Sequence, residues 1–265
     1  MADIRPPAVA GMFYPSDPAK LREDVGRYLA AASVPALQGV RAVVAPHAGF
    51  VYSGPVAAFA YQVLALQKSA PERILLLGPS HRTWFPGVAV ADVDGFSCPL
   101  GTHPVDREYV RRLTAERDLF TADNRPHGPE HCLEVHIPFL RVVLPDAPVV
   151  PMLFGQVDPV EVGRSLLTIL EDNDLVIVSS DLSHYHSNRA AHTTDRQFLD
   201  ALLAGDRAGV LKGEACGQAP ALAMMVVAAA RGWRPQLLDY RTSGDISGET
   251  RQVVGYAAVA YTGEA

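Results

Sequence analysis

The sequence predicts one α/β domain with a mainly parallel central sheet and helices on both faces. Short apolar runs alternate with longer amphipathic runs along the 265 residues, a pattern typical of strand–helix units around a parallel sheet. The 21 Pro and 21 Gly cluster at the ends of these runs, and neither a Gly/Ser-rich linker nor an internal repeat divides the chain. Because a chain of this length can form one large domain, we expect a single domain over residues 1–265.

Seven short apolar runs are predicted as strands because turn residues bound them. They cover residues 40–45, 73–77, 88–93, 149–154, 175–179, 236–240 and 253–261. Seven longer runs are predicted as helices, several of which open on a start signal: Asp17 before Pro18, Gly54 before Pro55, and Asp158 before Pro159. The predicted helices cover residues 18–32, 55–67, 106–117, 133–143, 159–171, 189–203 and 217–231.

Charge and composition exclude several classes of protein. Lys and Arg total 23 against 29 Asp and Glu, a formal net charge of −6, so the chain lacks the basic surface typical of nucleic-acid or membrane binding. No apolar run is long enough to span a bilayer, and residues 1–7 do not resemble a secretory signal. Cys98, Cys132 and Cys216 are far apart, which indicates free thiols. We therefore expect a cytoplasmic protein that binds neither nucleic acid nor membrane.

Three predicted strands are followed closely by a histidine: His47, His81 and His184. Ligands of open α/β sheets bind beyond the carboxyl ends of the strands, where these imidazoles fall. His47 and His81 are 34 positions apart, close to the length of one strand–helix–strand unit. If their strands are neighbours, about 4.8 Å apart, the two imidazoles can bind one metal ion. The alternative for each histidine alone is a role in a turn or a helix cap.

Cys216 lies just before the strongly apolar run 221–230, at or near the start of a predicted helix. The positive end of a helix dipole favours a thiolate, which suits either a nucleophile or a metal ligand. The alternative is a small buried apolar residue, which is also our interpretation of Cys98 and Cys132.

The segment 130–136 contains two histidines but does not match the zinc-binding His-Glu-x-x-His motif, because its histidines are five positions apart. His131 and Glu134 share a helical face. His131 is a candidate active-site residue that contacts either the ligands of a metal ion or a substrate. His136 is interpreted as structural. Three other histidines lie in polar surroundings and are expected at surface or loop positions: His103, His127 and His192.

Asp181 and His184 form an acid–base pair directly after a predicted strand. An Asp that orients an imidazole is a common general-base arrangement, although Asp181 can instead cap a helix. His186 adds a titratable group whose position favours no particular role.

Seven spaced motifs resemble those of the Memo family, in the same order over almost the whole chain. They are AVAGMFYP (8–15), PHAGFVYSG (46–54), GPSH (78–81), EH with LE (130–131 and 133–134), SSDLSHY (179–185), CG (216–217) and VVGY (253–256). The resemblance implies an α/β fold similar to the class III extradiol dioxygenases, which use non-haem Fe(II). It also implies a functional link to an AMMECR-type protein and a radical SAM protein, the other components of the AmmeMemoRadiSam system.

By motif, His47, His81 and Cys216 match the family's metal-binding positions, and Asp181 and His184 match the adjacent site pair. The dioxygenase relatives have a carboxylate where this chain has Cys216. The resemblance implies Fe(II) as the expected metal. Because a thiolate is softer than a carboxylate, it also accepts copper and zinc, which are the alternatives.

These observations leave three hypotheses for function. The first is a metal-binding redox or oxygen-activating enzyme that uses His47, His81 and Cys216 as ligands and His184 as a base oriented by Asp181. The second is a cysteine hydrolase in which Cys216 is the nucleophile. The third is a binding protein that holds a peptide or small molecule in a cleft at the carboxyl ends of the strands, without turnover.

Overall fold

Twelve strands are present in the computed structural model, which describes residues 2–116 and 119–263. In chain order they are β1 (Ile4–Arg5), β2 (Val40–Ala45), β3 (Arg73–Pro79), β4 (Val88–Val90), β5 (Gly95–Cys98), β6 (Gly101–Pro104), β7 (Phe120–Ala122), β8 (Val149–Phe154), β9 (Asp174–Ser179), β10 (His184–His186), β11 (Arg234–Thr242) and β12 (Val253–Thr262). Nine of them form the central sheet, in the order β10-β12-β2-β9-β3-β8-β4-β7 with β11 also paired to β12. The strands β1, β5 and β6 form a separate small sheet.

The four strands at the centre of the large sheet, β2, β9, β3 and β8, run parallel. Their residues are almost all buried, as expected of parallel strands whose two faces are covered. Antiparallel pairs flank this centre, since β12 pairs with β2 and β4 pairs with β8. The predicted α/β fold is therefore confirmed, and the sheet is mixed, with its parallel part at the centre and in the β4–β7 pair.

Helices flank the sheet in two groups and share one continuous apolar core with it. The helices α1, α2 and α4 pack together, and α2 contacts β2 and β12; α5 and α7 pack on α8, which contacts β3 and β9. Within the described ranges no helix is long and apolar enough to cross a membrane. The helices are α1 (Pro18–Ala31), α2 (Phe50–Ala65), α3 (Arg107–Glu116), α4 (Ile137–Val143), α5 (Pro159–Leu167), α6 (Asn188–Ala204), α7 (Arg207–Lys212), α8 (Gln218–Arg231) and α9 (Ser243–Ser247).

The start of α2 differs from the prediction. The helix begins at Phe50, more than a turn before Pro55, and Pro55 lies inside it. The N–H of Phe50 donates to the carbonyl of Phe13 at 2.7 Å, so residues 5–15, the N-terminal arm, hold the first turn of α2. Gly54 is needed for packing, since a Cβ there would lie 2.7 Å from the Tyr28 ring. The Gly-Pro pair therefore marks a close helix contact, and the prediction of a start at Pro55 was wrong.

Other boundaries were wrong where the elements are short. The predicted helix 133–143 is a 3-10 turn at Glu134–His136 followed by α4, and the helix predicted to reach residue 171 ends at Leu167. The predicted strand 88–93 ends at Val90. Residue 117, the predicted end of α3, lies outside the described residues. Strands of two to four residues are too short for their alternation to be recognised, and five were missed: β1, β5, β6, β7 and β10.

The strands that precede His47 and His81 are not neighbours, contrary to the expectation from their spacing. β9 lies between β2 and β3 and pairs in parallel with both. The helical connection from β2 to β3 therefore skips one strand position in the sheet. That position is occupied by β9, which follows β3 about a hundred residues later in the chain. As a result, Ser179, the last residue of β9, lies between the two histidine-bearing loops.

Candidate metal centre

Three histidine side chains meet at the carboxyl edge of the parallel strands. His47 follows β2, His81 follows β3, and His131 lies in the loop before the 3-10 turn. One ring nitrogen of each lies within 4.8 Å of those of the other two, and the ring centroids are 5.0 to 5.5 Å apart. His47 is buried, whereas the side chains of His131 and His81 are 13 % and 29 % exposed. The cluster is therefore closed behind His47 and open to solvent at His81.

One buried carboxylate, that of Glu130, lies against two of these rings. Its Oε1 lies 3.0 Å from Nδ1 of His81 and 3.1 Å from Nδ1 of His131, the second contact being too bent for a good hydrogen bond. It also accepts the backbone N–H of His81 at 2.6 Å. Burial raises the pKa of Glu130, but the interactions with His131 and His81 outweigh burial and hold it far below its usual range. A carboxylate at Nδ1 leaves Nε2 of each ring as the metal-binding atom.

His47 is held by three different groups. Its Nδ1 lies 2.6 Å from Oγ of Ser179, its backbone N–H donates to Asp181 at 2.8 Å, and its Nε2 lies 3.3 Å from Sγ of Cys216. Burial, together with the neighbouring His81 and His131, lowers the pKa of His47 well below its usual value. The imidazole is therefore neutral near pH 7, the form in which histidine binds metals.

Cys216 lies between the end of β9 and the start of α8. The backbone N–H of Asp181 donates to its Sγ at 3.2 Å, and the N–H of Cys216 donates to the Asp181 carbonyl at 3.2 Å. Burial raises the pKa of the Cys216 thiol, and the nearby Asp181 carboxylate raises it further. Desolvation and the acidic neighbour thus act against the thiolate that the start of a helix was expected to favour, and Gly217 is the N-cap of α8.

Asp181 does not orient His184 in the way the sequence suggested. Asp181 is buried, burial raises its pKa, and its carboxylate accepts the backbone N–H of His47. Among the described residues no hydrogen bond joins it to His184, which lies partly exposed on β10. His186 pairs with Glu214 at 2.8 Å on the surface. Asp181 thus fixes the backbone beside His47.

The N-terminal arm is anchored by Glu134, which the sequence had placed on the same face as His131. Buried Glu134 forms an ion pair with Arg5 and accepts hydrogen bonds from the N–H of Ala8 and Val9 and from the Tyr14 hydroxyl. Arg5 in turn donates to backbone carbonyls of the loop 127–130. This network holds the loop that carries Glu130 and His131, so Glu134 supports the site from behind rather than facing a ligand.

Two residues of the site were missed by sequence reasoning, Glu130 and Ser179. Glu130 directly precedes His131, and Ser179 is a polar residue that ends an apolar strand, so their positions were the available signals. His103 and His127 were expected at surface or loop positions. His127 does lie in a loop and His103 lies on β6, but both are buried and bonded to backbone carbonyls. The expected burial of Cys98 and Cys132 is confirmed.

The donor set fits a transition metal ion. Ser179 or Glu130 lies at Nδ1 of each imidazole in the cluster, which leaves three Nε2 atoms and, beside His47, one sulfur. Imidazole suits iron, copper and zinc, and a thiolate suits copper and zinc in particular. Within the described residues, two groups of donor atoms are mutually close: His47, His81 and His131 form one, and His81, Glu130 and Cys132 form the other. Cys216 belongs to neither group, but its sulfur lies 3.3 Å from Nε2 of His47. The structure therefore contains a candidate metal site, with His47 and His81 at its centre.

Comparisons with known proteins agree with the sequence motifs. A family model described as Memo-like protein matches residues 5–260. A MEMO1 family protein of Methanopyrus kandleri is 36 % identical over 97 % of this chain and 98 % of its own length, and one of Methanothermobacter thermautotrophicus is 34 % identical over 96 % and 99 %. The solved structure of protein JW3007 from Escherichia coli K12 shares the fold, with a TM-score of 0.52, 14 % identity, and coverage of 84 % of this chain and 100 % of that one. The chain belongs to the Memo-like family.

Proposed function

We propose that this protein binds one transition metal ion through Nε2 of His47 and His81, with Cys216 as the third ligand and His131 as the alternative third ligand. One observation carries the proposal: imidazole rings converge, and Nδ1 of His47 and of His81 already contacts Ser179 and Glu130, which leaves Nε2 of each ring for the metal. Fe(II) is the metal we expect, with copper or zinc as alternatives, because imidazole and thiolate donors accept all three.

When bound, such an ion would supply activation of O₂ or of a coordinated organic molecule for redox chemistry like that of the extradiol dioxygenases. The chain's own residues divide the remaining work. Glu130 fixes the His81 ring, and Asp181 fixes the backbone of His47. The partly exposed His81 and His131 leave room for a small molecule or peptide at the carboxyl ends of the strands. His184, partly exposed on β10, is the group we propose for accepting a proton there.

The hydrolase hypothesis is less well supported. The Cys216 sulfur lies against Nε2 of buried His47 rather than against the partly exposed His184 that this hypothesis uses as its base, and burial raises the pKa of the thiol. The AMMECR-type and radical SAM proteins remain the proposed functional partners, and the cytoplasm the proposed location.

Metal analysis of protein purified without oxygen tests the proposal. We expect near-stoichiometric iron, copper or zinc, and loss of that metal in His47→Ala, because the variant removes a nitrogen at the centre of the cluster. His192→Ala is the matched control, since His192 is partly exposed and pairs with Asp245 far from these rings in the sequence. A metal-free wild-type protein, or metal content unchanged by His47→Ala, would contradict the proposal.

Cobalt substitution distinguishes the two candidates for the third ligand. Co²⁺ bound by a thiolate gives an intense near-ultraviolet charge-transfer band, which a site of imidazoles alone lacks. We expect the band in the wild-type protein and in His131→Ala, and its loss in Cys216→Ser. The opposite pattern, no band together with metal loss in His131→Ala, would assign the three histidines as ligands.

Replacing Glu130 by glutamine is expected to weaken metal binding by about 10- to 100-fold, the range typical for a carboxylate that orients ligating imidazoles. The amide keeps the size of the side chain, but only one of its two terminal atoms can accept hydrogen bonds, and it carries no negative charge. Dissociation constants from chelator competition measure the change. Glu214→Gln is the matched control because it removes a carboxylate from His186 outside the cluster. Equal losses in the two variants would argue against an orienting role for Glu130.

A further inference from the structure

A chain of buried polar groups runs behind His47, on the side away from solvent. Nδ1 of His47 lies 2.6 Å from Oγ of Ser179, Nε2 of His136 lies 2.8 Å from the same Oγ, and the Tyr61 hydroxyl lies 2.7 Å from Nδ1 of His136. The Ser179 Oγ also lies 2.8 Å from the carbonyl oxygen of Cys132. Each of the four side chains is at most 2 % exposed, so these groups must satisfy their hydrogen bonds within the protein.

The proton positions in this chain follow from counting donors and acceptors. A hydroxyl has one proton and two lone pairs, whereas a carbonyl oxygen can only accept. The Ser179 proton is therefore committed to the carbonyl of Cys132, and both lone pairs of its Oγ remain for the two imidazoles. Each imidazole must then donate, His47 through Nδ1–H and His136 through Nε2–H. A neutral ring carries one N–H, so the other nitrogen of each ring is bare.

The far end of the chain agrees with this assignment. Nδ1 of His136 must accept, and its neighbour is the Tyr61 hydroxyl, which donates. Burial raises the pKa of Tyr61 well above its usual value and lowers that of His136 to about 3, so both groups are neutral. Every proton in the chain thus has one acceptor, as a buried polar network requires if it is to fix a single arrangement.

We propose that Ser179 is a positioning residue that fixes His47 as the tautomer with a proton on Nδ1 and a bare Nε2. Nε2 is the atom that faces Cys216 and the other two imidazoles. If Ser179 donated its proton to His47 instead, the Nε2 would carry a hydrogen and could not bind a metal. The consequence for metal binding rests on the proposed function, whereas the tautomer itself is a property of the metal-free protein.

The tautomer can be measured directly. Long-range ¹⁵N–¹H correlation spectra of metal-free protein labelled at its histidines distinguish protonated from bare ring nitrogens. We expect a protonated Nδ1 and a bare Nε2 for His47, and the reverse for His136. Assignment uses His47→Ala and His136→Ala, each of which removes one ring from the spectrum. A protonated Nε2 on His47 would overturn the proposal, whatever the protein's affinity for metal.

The variant Ser179→Ala removes the shared acceptor. We expect the Nε2–H tautomer of His47 to appear in the spectra and the affinity for Co²⁺ to fall by about 10- to 100-fold. Ser183→Ala is the matched control: it changes a serine four positions away that is also buried, and its Oγ has no hydrogen-bond partner within the described part of the chain. We expect it to leave both the tautomer and the affinity unchanged.

The outcomes separate this inference from the proposed function. A wild-type protein with the expected tautomer but no affinity for Co²⁺, Fe²⁺ or Zn²⁺ would refute the metal site and leave the assignment of Ser179 intact. A protein that binds metal and keeps the same His47 tautomer in Ser179→Ala would refute the role of Ser179 and leave the metal site intact.

Discussion

Replacing Glu134 by alanine is expected to lower the free energy of unfolding by about 3 to 5 kcal/mol, the range for breaking a buried ion pair from one side. Both partners are almost fully buried, with side chains of Arg5 and Glu134 that are 4 % and 0 % exposed. The variant leaves a buried guanidinium without its counter-charge and removes the acceptor for two backbone N–H groups and the Tyr14 hydroxyl. Urea denaturation followed by circular dichroism measures the change.

Two comparisons make this expectation specific. Glu23→Ala removes an exposed glutamate whose partner is Lys20 on the surface, and it should change stability little, as exposed ion pairs usually do. Glu134→Gln keeps an acceptor oxygen and should be less destabilising than Glu134→Ala. If Glu134→Ala resembled Glu23→Ala, the arm of residues 5–15 would not be anchored by this carboxylate.

The loss at Glu134 should also reach the metal centre. Arg5 holds the loop that carries Glu130, and Phe13 of the same arm contacts the His131 ring, with centroids 4.9 Å apart. Releasing the arm therefore removes support from the histidine cluster as well as stability from the fold. A weaker affinity for Co²⁺ in Glu134→Ala under conditions where it remains folded is the expected sign.

The second large effect is expected at Gly217. A Cβ at this position would lie 2.4 Å from the carbonyl oxygen of Ser179 and 2.4 Å from Cβ of Ser180, far inside van der Waals contact. Because the clash involves backbone, Gly217→Ala must move α8 away from the end of β9. Overpacking of this kind typically costs about 1 to 3 kcal/mol of stability. Thermal and urea denaturation measure that loss.

The displacement in Gly217→Ala has a local consequence. Cys216 precedes the glycine, so its sulfur should withdraw from Nε2 of His47 and the cobalt–thiolate band should weaken. Gly26→Ala is the control, since a Cβ there meets nothing within 4 Å and the residue lies inside α1. We expect the free energy of unfolding of Gly26→Ala to rise by about 0.5 to 1 kcal/mol, because alanine has a higher helix propensity than glycine. A loss at Gly26 equal to that at Gly217 would point to a general intolerance of alanine.

The sequence located those parts of the site that depend on local pattern. His47 and His81 follow apolar runs that end in turns, and this arrangement was enough to predict them at the carboxyl edge of an α/β sheet. Strand order was not accessible in the same way, because β9 pairs with two strands that precede it by about 100 and about 130 residues. The alternation of apolar runs predicts that strands exist and does not specify their neighbours.

The roles of the polar groups were harder to predict than their positions. Glu134 appeared to share a helical face with His131, yet its partners are residues 5–14, some 120 to 129 positions away in the chain. The elevated pKa of Cys216 likewise depends on burial beneath loops from elsewhere in the fold. Long-range burial and ion pairing decide both cases, and neither leaves a periodic signal in the sequence.

The insertion of β9 between β2 and β3 also constrains how the chain is made and folded. During synthesis, β2 and β3 emerge long before β9, joined by a helix in a unit that could pair directly. A direct β2–β3 pair would have to separate before β9 could take its place. Folding of the central sheet therefore depends on keeping a gap between two early strands, and non-local parallel pairing of this kind is intrinsically slow. Ser179, which contacts the ring of His47, reaches its place only when that gap is filled.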